Sequence, residues 1–243
     1  MKDACPAPGR HGFRELGHEE ENMSTITFNR IVKDHKVNAL LRRADEQLGI
    51  VGYTEHGIRH GRWVGRTARR VLKELGQNDR GPELAGVAGY IHDIGNIVNR
   101  ENHAQTGALL AYELLNEMGM PLDECTEVIS AIGNHHEDHG DPVSFVSAAL
   151  ILADKADVHR SRVRNPSTLK FDIHDRVNYA ARKSQLEVDP KKKVIRLNLT
   201  INTNISQVME YFEIFISRMI ISRRAAEFLG CTYELSVNGN RLL

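Results

Sequence analysis

Apolar residues recur at helical spacing from about residue 28 to residue 160. Residues 28–48 carry one apolar stripe, ended by Gly49, which predicts an amphipathic helix. Further stripes lead to Gly76, His92, Gly119, His135 and Asp154. Because each stripe needs a partner surface to bury it, the pattern predicts a mainly α protein built around an all-helical bundle.

The period changes after residue 170. Apolar positions from Ile195 to Ile201 alternate with polar ones, which is strand spacing. Residues 177–188 are the predicted hairpin partner, with a turn at Asp189-Pro190. A long amphipathic helix and a last short strand, residues 233–237, follow. We therefore predict a small α+β appendage, made of a three-stranded antiparallel sheet and one long helix.

The domain organisation follows from these two patterns. Residues 1–22 contain prolines, glycines and a run of three glutamates but few periodic apolar residues, so we predict a disordered leader or added extension. Residues 23–170 are the predicted helical metal-binding domain, and residues 171–243 are the predicted appendage.

Composition and net charge indicate a soluble globular protein but do not indicate a binding partner. Lys+Arg and Asp+Glu both total 32, and the 41% hydrophobic and 26% charged fractions are those of a soluble globular protein. Three cysteines without paired spacing predict reduced thiols and a cytoplasmic location. No apolar run has membrane-spanning length, so we expect no membrane partner.

Histidine is concentrated in the region that the helical pattern covers. Nine of the 12 histidines fall between His56 and His174. A single inward-facing histidine is more often a hydrogen-bonded core residue than a ligand. Several histidines and aspartates at core-facing positions of separate helices, however, are costly to bury unless a metal satisfies them. The predicted metal ligands are His60, His92, Asp93, His103, His135 and Asp154.

The adjacent pair His92-Asp93 organises this set, because one carboxylate can bridge two ions. A first ion would take His60, His92, Asp93 and Asp154, and a second would take Asp93, His103 and His135. Mixed nitrogen and oxygen donors favour one or two ions of Mn²⁺, Fe²⁺, Ni²⁺, Co²⁺ or Zn²⁺ over Ca²⁺ or Mg²⁺. Such ions activate water for hydrolysis of phosphate esters.

Further residues receive predicted catalytic or substrate-binding roles. Asp93 is expected to be catalytic as the bridge, Asp157 to orient a ligand histidine, and His136 to contact the phosphate or protonate the leaving oxygen. The predicted substrate-binding residues are His56, Lys155, Arg160, Arg162 and Arg164. Pairing of the three arginines with Asp172 and Asp175 is the alternative.

These motifs resemble the HD-domain metal-dependent phosphohydrolase superfamily over about residues 54–160. The resemblance rests on His60 with Val64, His92-Asp93-Ile94-Gly95, His103 with Gly107, His135-His136 and Ala153-Asp154. It implies an all-helical bundle, a mono- or binuclear metal centre, and hydrolysis of phosphate esters of nucleotides, cyclic dinucleotides or RNA. Asn96 stands where many relatives have lysine, so a cation for substrate phosphate is missing there.

The predicted function is hydrolysis of a nucleotide-like phosphomonoester or phosphodiester by a metal-activated water. A di-iron oxygenase of the same superfamily and a metal-containing regulatory or ligand-binding module are the alternatives. A nucleic-acid partner is possible but unsupported, because the aromatic residues between residues 158 and 193 do not interleave with the basic ones at the spacing that a single-strand binding platform would use. Formation of a homo-oligomer through the appendage is a further open alternative.

Overall fold

The computed structural model describes residues 25–77, 80–165, 167 and 172–242. The predicted leader, residues 1–22, lies outside them. The helices are α1 (Phe28–Lys33), α2 (His35–Ile50), α3 (Ile58–Glu74), α4 (Gly81–Ile91), α5 (His103–Glu117), α6 (Leu122–Gly133), α7 (Phe145–Ala156), α8 (Ile173–Ala180) and α9 (Val208–Phe228). The mainly helical fold class is therefore confirmed.

The predicted helix over residues 28–48 is two helices. Asp34 has an extended backbone (φ −68°, ψ 128°), which ends α1. Its carboxylate accepts a hydrogen bond of 2.9 Å from the backbone N–H of Val37, so it also caps α2. Buried apolar residues stand on both sides of Asp34, with Ile31 before it and Val37 after it, so the apolar pattern alone does not reveal the break.

Helix α7 is the central element of the bundle. Every residue from Val146 to Ala156 is buried, and the helix packs against α3, α4, α6 and α9. Helix α3 packs along α4, with Gly61 against the backbone of Tyr90, where a Cβ would lie 2.5 Å from the Tyr90 carbonyl oxygen. The close approach of these two helices sets the distance between His60, in the first turn of α3, and His92, which follows the last residue of α4.

The C-terminal sheet has four strands and is mixed, which corrects the predicted three-stranded antiparallel sheet. The strands are β1 (Ala181–Asp189), β2 (Val194–Ile201), β3 (Thr232–Val237) and β4 (Asn240–Arg241), in that order across the sheet. The β1–β2 hairpin is antiparallel, as predicted, but β3 runs parallel to β2. Helix α9 connects β2 to β3 and returns the chain to the end at which β2 begins, so the two strands share a direction.

The predicted hairpin partner, residues 177–188, begins too early. Residues Ile173–Ala180 form α8, whose first turn is capped by the Asp172 carboxylate through the backbone N–H groups of His174 and Asp175. Strand β1 begins only at Ala181. A capping aspartate converts what would otherwise extend the strand into a short helix.

The buried apolar side chains of the bundle and of the sheet form one continuous cluster. The boundary at residues 170/171 therefore stays a prediction. Among the described helices, none is both long and apolar enough to cross a bilayer. Cys125 and Cys231 are buried free thiols.

Candidate metal centre

The His92-Asp93 pair stands where α4 ends inside the protein. Helix α4 is buried along nearly its whole length, so the pair emerges in the interior, with His92 and Asp93 exposed by 1% and 3%. A 3₁₀ turn, Ile94–Ile97, follows. A Cβ on Gly95 would lie 2.0 Å from the His103 carbonyl oxygen, so only glycine lets this turn contact the start of α5.

The remaining predicted ligands come from four other helices. His60 lies in the first turn of α3, His103 begins α5, His135 follows the end of α6, and Asp154 lies in the last turn of α7. All are buried, with at most 9% of the residue exposed. The structure brings the six predicted ligands together at one place.

Each ligand histidine is oriented by a hydrogen bond at Nδ1. His92 donates to the Gly89 carbonyl at 2.9 Å, His103 to the Arg100 carbonyl at 2.9 Å, and His135 to the Ile132 carbonyl at 2.6 Å. His60 donates to Asp157 Oδ2 at 2.7 Å. Since these oxygens act as acceptors, Nδ1 carries the hydrogen and Nε2 is left to bind a metal.

Four of the inward atoms form what we call the first position. His60 Nε2 lies 3.2 Å from Asp154 Oδ1 and 3.5 Å from Asp93 Oδ2. His92 Nε2 lies 3.2 Å from Asp93 Oδ2 and 3.3 Å from His60 Nε2. Ligand atoms about 2.1 Å from a common ion lie about 3.0–3.4 Å apart, so these separations fit a single transition-metal ion.

The other oxygen of Asp93 faces a second group of atoms, which we call the second position. Asp93 Oδ1 lies 3.4 Å from His103 Nε2, and His103 Nε2 lies 3.2 Å from His135 Nε2. The Asn96 amide donates to Asp93 Oδ1 at 2.9 Å and fixes the plane of the carboxylate. Asp93 thus turns one oxygen to each position, as a bridging ligand would.

The polar atoms of the centre fit a cation. Asp93 Oδ2 is buried, and it has no hydrogen-bond partner when the histidine rings are neutral, because the facing Nε2 atoms are then acceptors as well. Two groups, His60 with His92 and Asp154, and His92 with Asp93 and His135, each hold donor atoms within 4.8 Å of one another. Together with the mixed donor set, this supports a divalent transition metal as the resident cofactor.

Without an ion, the charges leave a proton on His92. Burial opposes its protonation, but Asp93 and Asp154 outweigh burial and raise the pKa of His92 to about 10. Burial lowers the pKa of His103 to about 4 and that of His135 well below the usual value. Burial also disfavours ionised Asp93, yet His92 holds the pKa of that carboxyl well below its usual range.

Asp157 accepts the hydrogen bond from Nδ1 of the predicted ligand His60. Besides His60, it accepts a hydrogen bond of 2.8 Å from Arg59, and Arg162 donates to its backbone carbonyl at 3.0 Å. Burial disfavours its charge, but His60 and both arginines hold the pKa of Asp157 well below the ordinary value. The carboxylate is therefore ionised and fixes the tautomer of His60.

Lys155, a predicted substrate-binding residue, is buried against two carboxylates. Its Nζ lies 2.7 Å from Asp154 Oδ2 and 2.5 Å from Glu137 Oε2. Glu137 Oε1 in turn lies 3.1 Å from Nε of Arg218 on α9. This network holds Asp154 Oδ2 and leaves Oδ1 for the first position, and it joins the C-terminal segment to a metal ligand.

An open cleft of about 360 Å³ lies beside the centre, and we call it the arginine cleft. Arg100, Arg162 and Arg218 line it together with His56, whose ring centroid lies 5.5 Å from that of His60. Residues 51–54 and residues of α8 and α9 complete the lining, together with Asp172, and it includes the carboxylates of Asp172 and Asp175. The predicted residue His56 thus lies next to the predicted ligand His60, Arg162 contacts Asp157, and three arginines line the same cleft.

His136 lines a neighbouring cleft of about 490 Å³ with His103 and Arg100. Its ring centroid lies 5.1 Å from that of His103. The backbone N–H of Asp138 donates to its Nδ1 at 3.4 Å, so the hydrogen of the neutral ring is on Nε2. Burial lowers the pKa of His136, which favours this neutral form.

Arg160 and Arg164 are engaged elsewhere. Arg160 lies over the Tyr179 ring, 4.8 Å from its centroid. Arg164 forms an ion pair with Asp45 and donates to the Tyr53 carbonyl at 2.9 Å. Of the three predicted arginines, the lining of the arginine cleft includes Arg162.

Sequence reasoning missed several residues around the centre: Arg100 contacts His103 and Asp93, Arg59 contacts Asp157, and Glu137 contacts Lys155. Arg59, Arg100 and Glu137 each lie within three residues of a predicted ligand, and that proximity was the only available signal. Arg218 had no such signal, because α9 contributes no ligand and reaches the centre only through Glu137.

Comparisons with known proteins identify the family and several similar sequences. A family model described as the HD domain matches residues 57–177. An uncharacterised protein of Methanocaldococcus jannaschii is 26% identical over 225 residues, covering 81% of this chain and 86% of that protein.

Ribonuclease Y sequences are also similar to part of the chain. That of Aster yellows witches'-broom phytoplasma is 30% identical over 140 residues, 56% of this chain and 23% of the ribonuclease. That of Streptococcus agalactiae serotype III is 26% identical over 199 residues, 72% of this chain and 35% of the ribonuclease. The chain thus spans well under half of the length of these ribonucleases.

Among solved structures, a predicted HD superfamily hydrolase from an uncultured Thermotogales bacterium is similar. It shares 25% identity and a TM-score of 0.42, covering 51% of this chain and 67% of that one.

Proposed function

Since this chain belongs to the HD-domain family, we propose that it is a metal-dependent hydrolase of a nucleotide-like phosphomonoester or phosphodiester. The observation that carries the proposal is the placement of Asp93, whose two carboxylate oxygens face two groups of histidine Nε2 atoms. The similarity of part of the chain to ribonuclease Y sequences supports the reaction class.

Asp93, Asp154 and the four ligand histidines would hold one or two divalent ions. A bound ion would lower the pKa of a coordinated water and polarise a phosphoryl oxygen. Asp157 keeps His60 in the metal-binding tautomer. Asn96 keeps Asp93 turned between the two positions.

The surrounding side chains suit an anionic substrate. Arg100, Arg162 and Arg218 place three guanidinium groups around the arginine cleft, where they can bind phosphate oxygens. His136 offers an Nε2–H donor beside His103, in reach of a phosphate or a leaving oxygen. The free thiols of Cys125 and Cys231 fit the proposed cytoplasmic location.

The test is a substrate panel with metal-loaded protein. We expect Mn²⁺-loaded wild type to hydrolyse at least one of three classes: 5′-mononucleotides, cyclic dinucleotides or short RNA. Asp93→Asn should lower kcat/KM at least about 10³-fold, since it removes the bridging charge. Asp123→Asn, at an exposed position in the first turn of α6, is the matched control and should leave activity unchanged.

Two results would contradict the proposed hydrolase function. Absence of hydrolysis across the panel by protein that holds its metal would overturn it. Oxygen consumption by iron-loaded protein, lost in Asp93→Asn, would place an oxygenase there instead.

A further inference from the structure

Arg100 lies at the edge of the metal centre, between the 3₁₀ turn and α5. Its Nη1 is 3.3 Å from Asn96 Oδ1, 3.4 Å from His103 Nε2 and 3.8 Å from Asp93 Oδ1. The guanidinium carbon lies 5.6 Å from the centroid of the Tyr53 ring. The side chain is 23% exposed and reaches the arginine cleft.

Two of these contacts are to atoms of the second position. His103 Nε2 and Asp93 Oδ1 are the nitrogen and oxygen that a second ion would need, and Arg100 approaches both. In the part of the chain that the structure describes, Asp93 is the one carboxylate within 4.0 Å of Arg100. The guanidinium therefore competes with a cation for the same carboxylate oxygen.

The first position carries no comparable competitor. Lys155 contacts Asp154 Oδ2, but Glu137 lies closer to the ammonium than Asp154 does and offsets its charge. Two carboxylates, Asp93 and Asp154, face the first position, whereas the second has only the shared Asp93. Attraction for a divalent ion is thus stronger at the first position, and repulsion by an unshared cation acts at the second.

We infer that Arg100 keeps the two metal positions unequal, so that the first ion binds tightly and the second binds only when the guanidinium moves away from Asp93 and His103. The second position then fills according to the concentration of free metal. The inference rests on the metal centre of the proposed function, but not on which substrate is hydrolysed.

The experiment is a calorimetric titration of Mn²⁺ alone into metal-free protein, followed by electron paramagnetic resonance. Wild type should bind one equivalent tightly and a second at least about tenfold more weakly, a difference of about 1.4 kcal/mol. Arg100→Gln should tighten the second step at least about tenfold and leave the first within about threefold. The spectrum of a coupled Mn²⁺ pair should appear at correspondingly lower metal concentration.

Matched variants distinguish the effect of the positive charge of Arg100 from a structural role of its side chain. Arg100→Lys keeps the positive charge and should stay within about threefold of wild type at both steps, although it loses the planar donor geometry. Arg223→Gln, an exposed arginine on α9, should change neither step. His103→Ala should abolish the second step and keep the first.

Several outcomes would overturn the inference. An unchanged or weaker second step in Arg100→Gln would mean that Arg100 supports the position rather than opposing it. Two equally tight steps in wild type, or no uptake at all, would also contradict it. Two unequal steps without phosphoester hydrolysis would leave the inference standing and the proposed function refuted.

Discussion

At the scale of single residues, the chemistry of the centre depends on which atom of each histidine carries hydrogen. Backbone carbonyls of Gly89, Arg100 and Ile132 set this for three rings, and Asp157 sets it for His60. A backbone carbonyl acceptor remains in place when the side chain of its residue is substituted. His60 is therefore the ligand whose orientation a point substitution can disturb without removing the ring.

Asp157→Asn tests that dependence. The amide has half the acceptor capacity and none of the charge that His60, Arg59 and Arg162 share, so we expect metal affinity to fall by about 10–100-fold. Equilibrium dialysis with Mn²⁺ measures the change. Asp123→Asn serves as control, and an unchanged affinity would show that His60 keeps its orientation unaided.

The proton on His92 predicts the pH dependence of metal binding. Its pKa, raised to about 10 by Asp93 and Asp154 despite burial, means that a metal ion must displace a proton at neutral pH. Affinity should therefore rise with pH, by about tenfold per unit between pH 6 and 8, because the displaced proton is released. Calorimetry in buffers of different ionisation enthalpy counts that proton. Release of none would contradict the prediction.

At the scale of elements, the centre depends on close backbone contacts between helices. Gly95→Ala would place a Cβ 2.0 Å from the His103 carbonyl oxygen and 2.5 Å from the Gly107 nitrogen, so the turn and α5 must separate. We expect a loss of about 1–3 kcal/mol in the free energy of unfolding and weaker metal binding. Denaturant unfolding and Mn²⁺ titration measure the two effects.

Gly133→Ala is the matched control for that change. Its Cβ would meet only the Ala108 side chain, at an ordinary 3.8 Å. Since alanine favours a helix over glycine, stability should rise or stay constant. Equal losses in both variants would mean that the contact with α5 does not explain the first result.

The sequence predicted which polar residues are buried together better than it predicted the sheet, for physical reasons. His92-Asp93 ends an apolar helix, and each further predicted ligand falls on an inward stripe, so the apolar pattern and the residue type together indicated that these side chains meet. Strand alternation, in contrast, is the same in both directions, so the parallel pairing of β3 with β2 had no local signal. Arg218 was missed because its contact with Glu137 spans 81 residues.

At the scale of the whole molecule, the buried ion pairs of Glu137 with Lys155 and Arg218 link the C-terminal segment to the helical bundle. Arg218→Met would leave Glu137 with Lys155 alone, and we expect the free energy of unfolding at pH 7 to fall by about 1–3 kcal/mol. Arg223→Met, exposed on the same helix, should change it by less than about 0.5 kcal/mol.

The same network predicts how that difference varies with pH. Burial disfavours charged Glu137, but Lys155 and Arg218 hold its pKa well below the usual value of 4.5. Its stabilisation is thus present above pH 4.5 and is lost as the pH falls through the lower, folded-state pKa. The difference between wild type and Arg218→Met should shrink on acidification. A constant difference would assign the effect to packing.

Association through the C-terminal segment stays a prediction. Met209, Ile216 and Ile220 on α9 are exposed by 64%, 58% and 42%. If copies of the chain pair there, Ile216→Glu should convert a dimer to a monomer in light scattering, whereas Leu109→Glu on α5 should not. A monomeric wild type would refute it.

The distance along the chain between Asp154 and Arg218 has a consequence for synthesis on the ribosome. All six ligands are translated on the order of 60 residues before Arg218, which corresponds to about 3–12 s at ordinary elongation rates. During that interval the nascent bundle has Lys155 but not Arg218 to neutralise Glu137. The nascent protein is therefore exposed to cellular metal ions after all six predicted ligands have been translated but before the contact between Arg218 and Glu137 can form.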